Sequence, residues 1–487
     1  MQSGARILVT GATGYIGGRL VGSLLDAGYT VRVMVRDPDR VQDRAWINQV
    51  DVIQGDVFKP QTLIEAMEGI TATYYLIHSM SSSEDFQQRD LVAASNFGNA
   101  AKECGVERII YLGGLGDPDT NLSEHLKSRQ DTGQKLAKAG VPVTEFRAAV
   151  IVGSGSISFE MIRYLTERIP VMICPRWVFT RVQPIAINDI LSYLTSALEA
   201  PESSGKVIEI GGADVITYGD MMMGYAKERG LKRILVPVPV LTPSLSSYWV
   251  HWMTPVPASI TRPLILGLRN EVIVRENSAE EIFPDISPVN YASAVRSALK
   301  SLDMGEVETR WTDALVSSQG DDNPTAMTIQ EGMIIVRRQE EIKATPEDVY
   351  ASFTGLGGDT GWLYFDWAWK LLGIIDRLIG GVGFRRGRRD PDELRVGDTV
   401  DFWRVETIEP GVMMRLRAEM KLPGNAWLQF EAHPHENTDS LLVLTAFFAP
   451  KGLFGLLYWY GLYPFQSIVF SGLLRKLKEM SQEKFDN

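Results

Sequence analysis

The sequence predicts a doubly wound parallel α/β sheet followed by a smaller α+β domain of antiparallel strands. Three observations carry this. Strand-like apolar runs alternate with helical patterns from Arg6 to Arg147. A glycine-rich turn joins the first run to the first helical pattern. After Ser317-Ser318-Gln319-Gly320-Asp321-Asp322-Asn323-Pro324 the texture changes to longer strands without intervening helices. Strand–helix alternation implies parallel strands with helices on both faces, whereas consecutive strands imply hairpins.

The predicted parallel strands are Arg6–Val9, Thr30–Val35, Val50–Gln54, Ala72–Ile77, Arg108–Leu112 and Val143–Arg147. Their ends line up Gly11, Arg36, Asp56, His78 and Gly113 along one edge, where such sheets bind ligands. Thr10-Gly11-Ala12-Thr13-Gly14-Tyr15-Ile16-Gly17 sits between the first strand and a helical run. Gly11 permits the tight turn, Gly14 lets the backbone approach a pyrophosphate, and Gly17 lets the helix pack close to the strand. The helix N-terminus then offers free N–H groups to phosphate. This predicts a dinucleotide site formed by Gly11, Thr13, Gly14, Tyr15, Ile16 and Gly17. Arg36 ends the second strand, where an acid would hold a ribose 2′-hydroxyl and an arginine suits a 2′-phosphate, with Arg40 nearby. Asp37 beside it pulls the other way, and the balance favours NADP(H) over NAD(H). Asp56-Val57 closes the third strand and either reaches the adenine edge or caps the next helix.

Composition narrows the classes. A chain of 487 residues holds two or three domains, and its net charge of −11 argues against nucleic acid as a partner. Cys104 and Cys174 have no metal-ligand spacing, so no metal is expected, and they suit a reducing, cytoplasmic setting. Two stretches lack formal charge. Ile234–Thr261 carries five prolines, which exclude one spanning helix. Gly452–Leu474 is interrupted by Gly455, Gly461, Pro464 and Gly472, and reads as a kinked buried helix or one lying on a membrane surface.

The expected organisation is a nucleotide-binding domain over 1–316, a linker over 317–328 and a second domain over 329–487. Residues from about 153 to 305 form a substrate-side elaboration of the first domain. In the second, Thr345-Pro346 starts a helix with Thr345 as cap. Strands follow at Met333–Arg338, Thr399–Glu406, Val412–Met420, Ala426–Ala432 and Ser440–Phe448, before a terminal helix.

Thr10–Gly17, the Asp56 turn and Arg147-Ala148-Ala149-Val150-Ile151-Val152-Gly153 resemble the extended or atypical short-chain dehydrogenase/reductases, in particular the NmrA-like branch, over about residues 5 to 305. The whole chain is similar to a bacterial two-domain group. There, such a domain is fused to a C-terminal domain of unknown function that resembles the START/polyketide-cyclase (helix-grip) fold. The runs His125–Gln130, Pro175–Val178, Gln183–Ala186 and Leu394–Asp398 carry that match. Catalytic members of the family place a Ser/Thr after the fifth strand and a Tyr-x-x-x-Lys on the next helix. This chain departs from them. It has Gly113-Gly114 at the serine-like positions, and His125 and Arg129 in the tyrosine and lysine slots. Histidine can donate a proton near neutral pH, and arginine can hold ribose hydroxyls but hardly acts as a base.

The resemblance therefore implies two readings. One is an oxidoreductase of altered mechanism, moving a hydride between NADP(H) and a hydrophobic carbonyl, enone, quinone or isoprenoid-type substrate. The other is a non-catalytic NAD(P) sensor or assembly factor. His125 and Arg129 are the catalytic candidates, with His78 and Ser79 as further cofactor contacts. Arg147, Arg176, Arg181 and Gln183 are substrate candidates, each competing with a structural role. In the second domain, Trp362–Lys370 and Arg385-Arg386-Gly387-Arg388-Arg389 fit an aromatic core, a lipid-sized cavity or an interfacial surface meeting anionic lipid. Peripheral attachment to the inner membrane face and a lipid-transfer role are the corresponding expectations.

Overall fold

The computed structural model describes residues 5–42, 44–77, 86–238, 267–303, 325–330, 333–358, 361–365, scattered positions from 367 to 378, 394–435 and 439–486. The chain divides into two compact units, Met1–Gly320 and Asp321–Asn487. The described elements of the first are built on β1 (Arg6–Thr10), α1 (Tyr15–Asp26), β2 (Thr30–Val35), β3 (Asp51–Gln54), α2 (Pro60–Met67), β4 (Ala72–Tyr75), α3 (Phe86–Glu103), β5 (Arg108–Gly114), α4 (Glu124–Ala137) and β6 (Val143–Ala148). These strands and Val207–Ile210 form a seven-stranded sheet. Its order is Val207–Ile210, β6, β5, β4, β1, β2, β3, with every pair parallel.

The sheet is apolar on both faces because helices cover both. Ile7, Val9, Val31 and Val33 pack under α1 and the helix Ile187–Ser196, while Leu8, Met34, Tyr75 and Ile109 pack toward α2 and α3. Buried polar groups on the strands find partners: Thr10 and Thr73 donate to the carbonyls of Tyr74 and Leu8. The sheet order reverses between β1 and β4, which opens a crevice at their carboxyl ends.

The region after β6 is irregular, as expected. Its helices Ile157–Arg168 and Tyr218–Glu228 lie among two-stranded ribbons, Val171–Cys174 with Ile234–Pro237 and Arg181–Val182 with Ile216–Thr217. The proline-rich stretch 239–261 lies outside the described residues.

The second unit has a seven-stranded antiparallel sheet. The order is Thr325–Gln330, Met333–Ile342, Ser440–Pro450, Gly424–Pro434, Met413–Ala418, Trp403–Glu409 and Thr399–Val400. The helix Gly452–Asp486 buries Val469, Leu473, Leu474 and Leu477 in a core shared with Val336, Leu428, Leu444 and Phe430 of the sheet. Two expectations need correction. The strand Thr399–Glu406 is broken at Asp401, which takes φ +55° and accepts the Trp362 indole N–H at 2.9 Å. The linker 317–328 runs into an edge strand that begins at Thr325. Thr345 caps its helix as predicted, accepting the Asp348 N–H. Among the described residues no helix is long and apolar enough to cross a membrane.

Candidate functional site

The crevice at β1 and β4 is shaped by glycine. Gly11 takes φ +76°, and a Cβ there would lie 2.6 Å from the Leu76 carbonyl oxygen at the end of β4. A Cβ on Gly17 would lie 2.4 Å from the Gly11 carbonyl oxygen, so any side chain would push α1 off β1. Gly14 is exposed and extended at the N-cap of α1, with no side chain capping the helix. The first turn of α1 therefore has no side-chain cap, and Gly14 sets no side chain beside its N–H groups. This arrangement fits a dinucleotide pyrophosphate. Thr13, Tyr15 and Ile16 flank it on the turn and the first helical residues.

Arg36 follows the last residue of β2 and is exposed, with its carbonyl accepting from the Gln54 amide at 2.9 Å. The Asp56 carboxylate accepts the Phe58 N–H at 3.0 Å, and Thr62 bridges the same turn. Of the two roles open to Asp56, the structure shows the turn, and Val57 is buried beneath it. His78 and Ser79 lie outside the described residues.

A cavity of about 280 Å³ opens from this crevice. Tyr15 and Ile16 line one side, Gly113, Gly114, His125 and Arg129 another, and Met161, Ile162, Leu165, Trp177, Tyr218 and Met222 the apolar remainder. His125 is half-buried in the first turn of α4, whose N-cap is Ser123. Arg129, one helical turn on, donates from Nη2 to the Leu112 carbonyl and stands over the Tyr111 ring. Tyr111 returns a hydrogen bond to the Arg129 carbonyl at 2.9 Å. Arg129 is thus fixed against β5 and acts as a positioned cation on the wall. A Cβ on Gly114 would meet Leu126 at 3.0 Å and Arg129 at 3.7 Å. The space at this serine-like position is filled by α4.

Arg147 lies elsewhere than expected. It is absent from the cavity wall and pairs with buried Glu145 at 2.7 Å. Glu145 sits under Gly133 of α4, where a Cβ would lie 2.1 Å from its carboxylate. Burial pushes the Glu145 carboxyl up, and the Arg147 and Arg129 guanidinium groups offset part of that. Arg147 is therefore the counter-ion of a buried acid. Gln183 is also structural. Its amide nitrogen donates to Gly212 and its amide oxygen accepts from Val274, which stitches two loops together. Arg181 makes an exposed pair with Glu271 at 3.3 Å, and Arg176 is exposed next to Trp177, which lines the cavity. None of the four is among the residues that line the described cavity.

Sequence reasoning missed Trp177, which follows Arg176, and Tyr218. Tyr218 is 4 % exposed, and burial alone pushes its phenol up. The missed signal is the capping box Thr217–Asp220, which fixes the helix start and so places Tyr218 at its first position.

The second unit has its own cavity of about 350 Å³ between sheet and helix, lined by Trp369, Trp403, Met420, Phe448, Tyr458 and Trp459 among others. Trp369 stacks on Phe402 and Trp459 on Phe448. On the far side of the sheet, Arg415 donates to Gln429, and Gln429 and His433 both engage Glu431, at 2.8, 2.6 and 2.8 Å. Burial raises the Glu431 carboxyl, but the His433 and Gln429 hydrogen bonds outweigh it and hold it below the ordinary value. Arg385–Arg389 lie outside the described residues.

Fold and crevice together define an NAD(P)-binding Rossmann domain joined to a second domain. Comparison with known proteins agrees. Residues 11–141 match the family described as NAD(P)H-binding, and residues 336–473 match a protein family of unknown function, DUF2867. The chain is 28% identical over 218 residues to (4-alkanoyl-5-oxo-2,5-dihydrofuran-3-yl)methyl phosphate reductase of Streptomyces griseus, covering 43% of this chain and 69% of that protein. It is 26% identical over 232 residues to the photosystem II assembly factor Ycf39 of Cyanophora paradoxa, covering 45% and 68%. The solved triphenylmethane reductase of Citrobacter sp. superposes with a TM-score of 0.50 at 20% identity, over 61% of this chain and 99% of that one, which shows the shared fold. The first unit thus carries a match to an NAD(P)H-binding family, and the second a match to DUF2867.

Proposed function

We propose that the first unit is an NADP(H)-dependent oxidoreductase acting on an apolar substrate that carries a carbonyl, enone or quinone group. One observation carries this reading: the apolar cavity runs from the first turn of α1 to the wall formed by His125 and Arg129. The glycine cradle and α1 N-terminus hold the pyrophosphate, and Arg36 takes the 2′-phosphate. NADPH, when bound, supplies the hydride. Met161, Ile162, Leu165, Trp177 and Met222 exclude water and select an apolar substrate. His125 donates the proton to the substrate oxygen, and Tyr218, also on the wall, offers a phenol hydroxyl as a second donor to it. Arg129, tied to Leu112, holds a nearby oxygen by charge without exchanging a proton.

NADPH oxidation in the presence of menadione, cinnamaldehyde and long-chain ketones tests this. Turnover with at least one of them is expected, with His125→Ala lowering kcat by about 100-fold and leaving NADPH affinity intact. Arg36→Ala should weaken NADPH by about tenfold and leave NADH unchanged. NADPH binding without turnover, unaffected by His125→Ala, would support a second reading. That reading is a nucleotide sensor or assembly factor, favoured by the filled space beside Gly114 and by the likeness to an assembly factor.

A further inference from the structure

The helix Gly452–Asp486 has two apolar faces where an amphipathic helix has one. Trp459, Val469, Leu473 and Leu477 face the sheet and are buried in its core. The opposite face is apolar too, and it is open to solvent. Phe454 is 72 % exposed, Leu457 62 % and Ile468 55 %, with Tyr460 and Phe465 exposed between them. Phe454, Leu457, Gly461, Phe465 and Ile468 follow one another at steps of three or four residues. They therefore form one stripe, about 21 Å long. Arg338, on the strand Met333–Ile342, sets the rotation of the helix by donating to Ser467 Oγ at 2.8 Å and Ser471 Oγ at 2.5 Å.

A second exposed stripe adjoins the first. Trp367 is 60 % exposed, and Ile374 and Leu378 are exposed on helical backbone beyond it. The Phe365 ring joins the two stripes, with its centre 5.8 Å from that of Trp367 and 6.1 Å from that of Phe465. Asp376 belongs to the same helical stretch but is buried, and it accepts the Lys421 N–H at 2.7 Å. Its charge is thus kept off the face. Single apolar residues on a surface need no explanation, but a contiguous apolar face of this extent marks a partner.

The charges at the ends of the stripe decide which partner. From Gly452 to Lys478 the sequence holds no acidic residue. Lys451 precedes the stripe and Arg475 follows it. Both are exposed, and among the described residues neither pairs with a carboxylate. A second copy of this chain fits badly. Two stripes paired antiparallel about Tyr463 would bring Lys451 of one copy against Arg475 of the other, and parallel pairing would set each cation against its own kind. An anionic lipid surface fits at both ends. Its headgroups suit Lys451 and Arg475, and its acyl boundary takes the apolar side chains between them. We propose that the second unit docks on an anionic bilayer through this face. The helix lies in the plane of the surface, with Phe454, Leu457, Phe465 and Ile468 inserted and Trp367 and Tyr460 at headgroup level. This inference is independent of hydride transfer in the first unit.

Sedimentation of the full chain with two kinds of vesicle tests it: phosphatidylcholine alone, and phosphatidylcholine mixed with phosphatidylglycerol. Binding to the mixed vesicles should be at least about tenfold tighter and should weaken as salt rises. Leu457→Glu with Ile468→Glu, at exposed positions, should weaken it by at least about 100-fold and leave the midpoint of urea unfolding unchanged. Lys451→Gln with Arg475→Gln should weaken binding to the mixed vesicles by about 20-fold and leave binding to phosphatidylcholine unchanged. Ile173 and Ile234 are another exposed apolar pair, on the two-stranded ribbon of the first unit, and replacing both by Glu should change nothing. No sedimentation with the mixed vesicles, or sedimentation that survives Leu457→Glu with Ile468→Glu, would overturn the proposal. So would equal binding to both kinds of vesicle, or loss of binding in the ribbon variant. A dimer in analytical ultracentrifugation that Leu457→Glu with Ile468→Glu dissociates, without vesicle binding, would overturn it in favour of a second copy.

Discussion

The two cavities are made by opposite means. The first lies at the carboxyl edge of a parallel sheet, where the segments after β1 and β5 meet α4 and glycines form part of the wall. The second lies between an antiparallel sheet and one long helix, and its wall is almost wholly side chain. A parallel sheet delivers several chain segments to one edge, so glycine and backbone polarity shape its site. An antiparallel sheet under a helix delivers a face, so bulky side chains shape the cavity and any charge must come from an edge. The same contrast governs two buried glutamates, each tied to neighbours two residues away. Glu145 has Arg147, and burial still wins. Glu431 has donors on both sides, and they win.

The largest effect that would break this comparison is at Gly17. Gly17→Val should reduce NADPH affinity by at least about 100-fold, because the Gly11 carbonyl occupies the side chain's place, while the stability of the second unit in urea is unchanged. A matching loss of stability in the second unit would show that the two are not separately built. Gly133→Ala comes next. Its methyl would strike the Glu145 carboxylate and should cost about 2–3 kcal/mol in urea denaturation. Replacing Tyr218 by Phe should lower kcat by about tenfold with little change in stability, since only a hydroxyl at the cavity wall is lost.

The smallest effect concerns pH. The Glu145 carboxyl is raised by burial, so the unfolded chain releases that proton first as pH rises. Its contribution to stability falls between the ordinary glutamate value and the raised one, and Glu145→Gln should flatten that fall. The Glu431 carboxyl is lowered. Its contribution is present above the ordinary value and lost as pH drops through the folded one, and Glu431→Gln should remove that loss. Urea melts between about pH 3 and 7 should therefore change slope in opposite directions for the two variants. Slopes that change alike would mean the two acids share one environment.

The parallel sheet was legible because each βα unit is local. Thr30–Val35 is a strand at its predicted bounds, and Gly11 and Gly17 occupy positions that only their own turn defines. The broken strand at Asp401 was not legible, because its cause, the Trp362 indole, is remote in sequence. The partners of the candidate arginines were not legible for a related reason. A charge in a strand can be read from sequence, but whether it meets a ligand or a buried acid depends on the residue beside it. For Arg147 that residue is Glu145, and for Arg181 it is Glu271. The apolar wall, with Trp177 and Met222, carries no chemical signature to distinguish it from core. The hydrogen bond from Arg338 to Ser471 was hidden for another reason: the two are separated by most of the second unit.

That separation has a consequence for how the protein is made. The strand Met333–Ile342 leaves the ribosome early in the second unit, yet the helix that covers it is the final described element, Gly452–Asp486. In the first unit, β1, α1 and β2 are neighbours in both sequence and space and can pair as they emerge. The antiparallel sheet must wait with Ile334, Val336 and Arg338 uncovered until the last segment arrives. A nascent chain stalled before Gly452 would therefore carry the locally paired strands of the nucleotide fold followed by a sheet with its apolar face open.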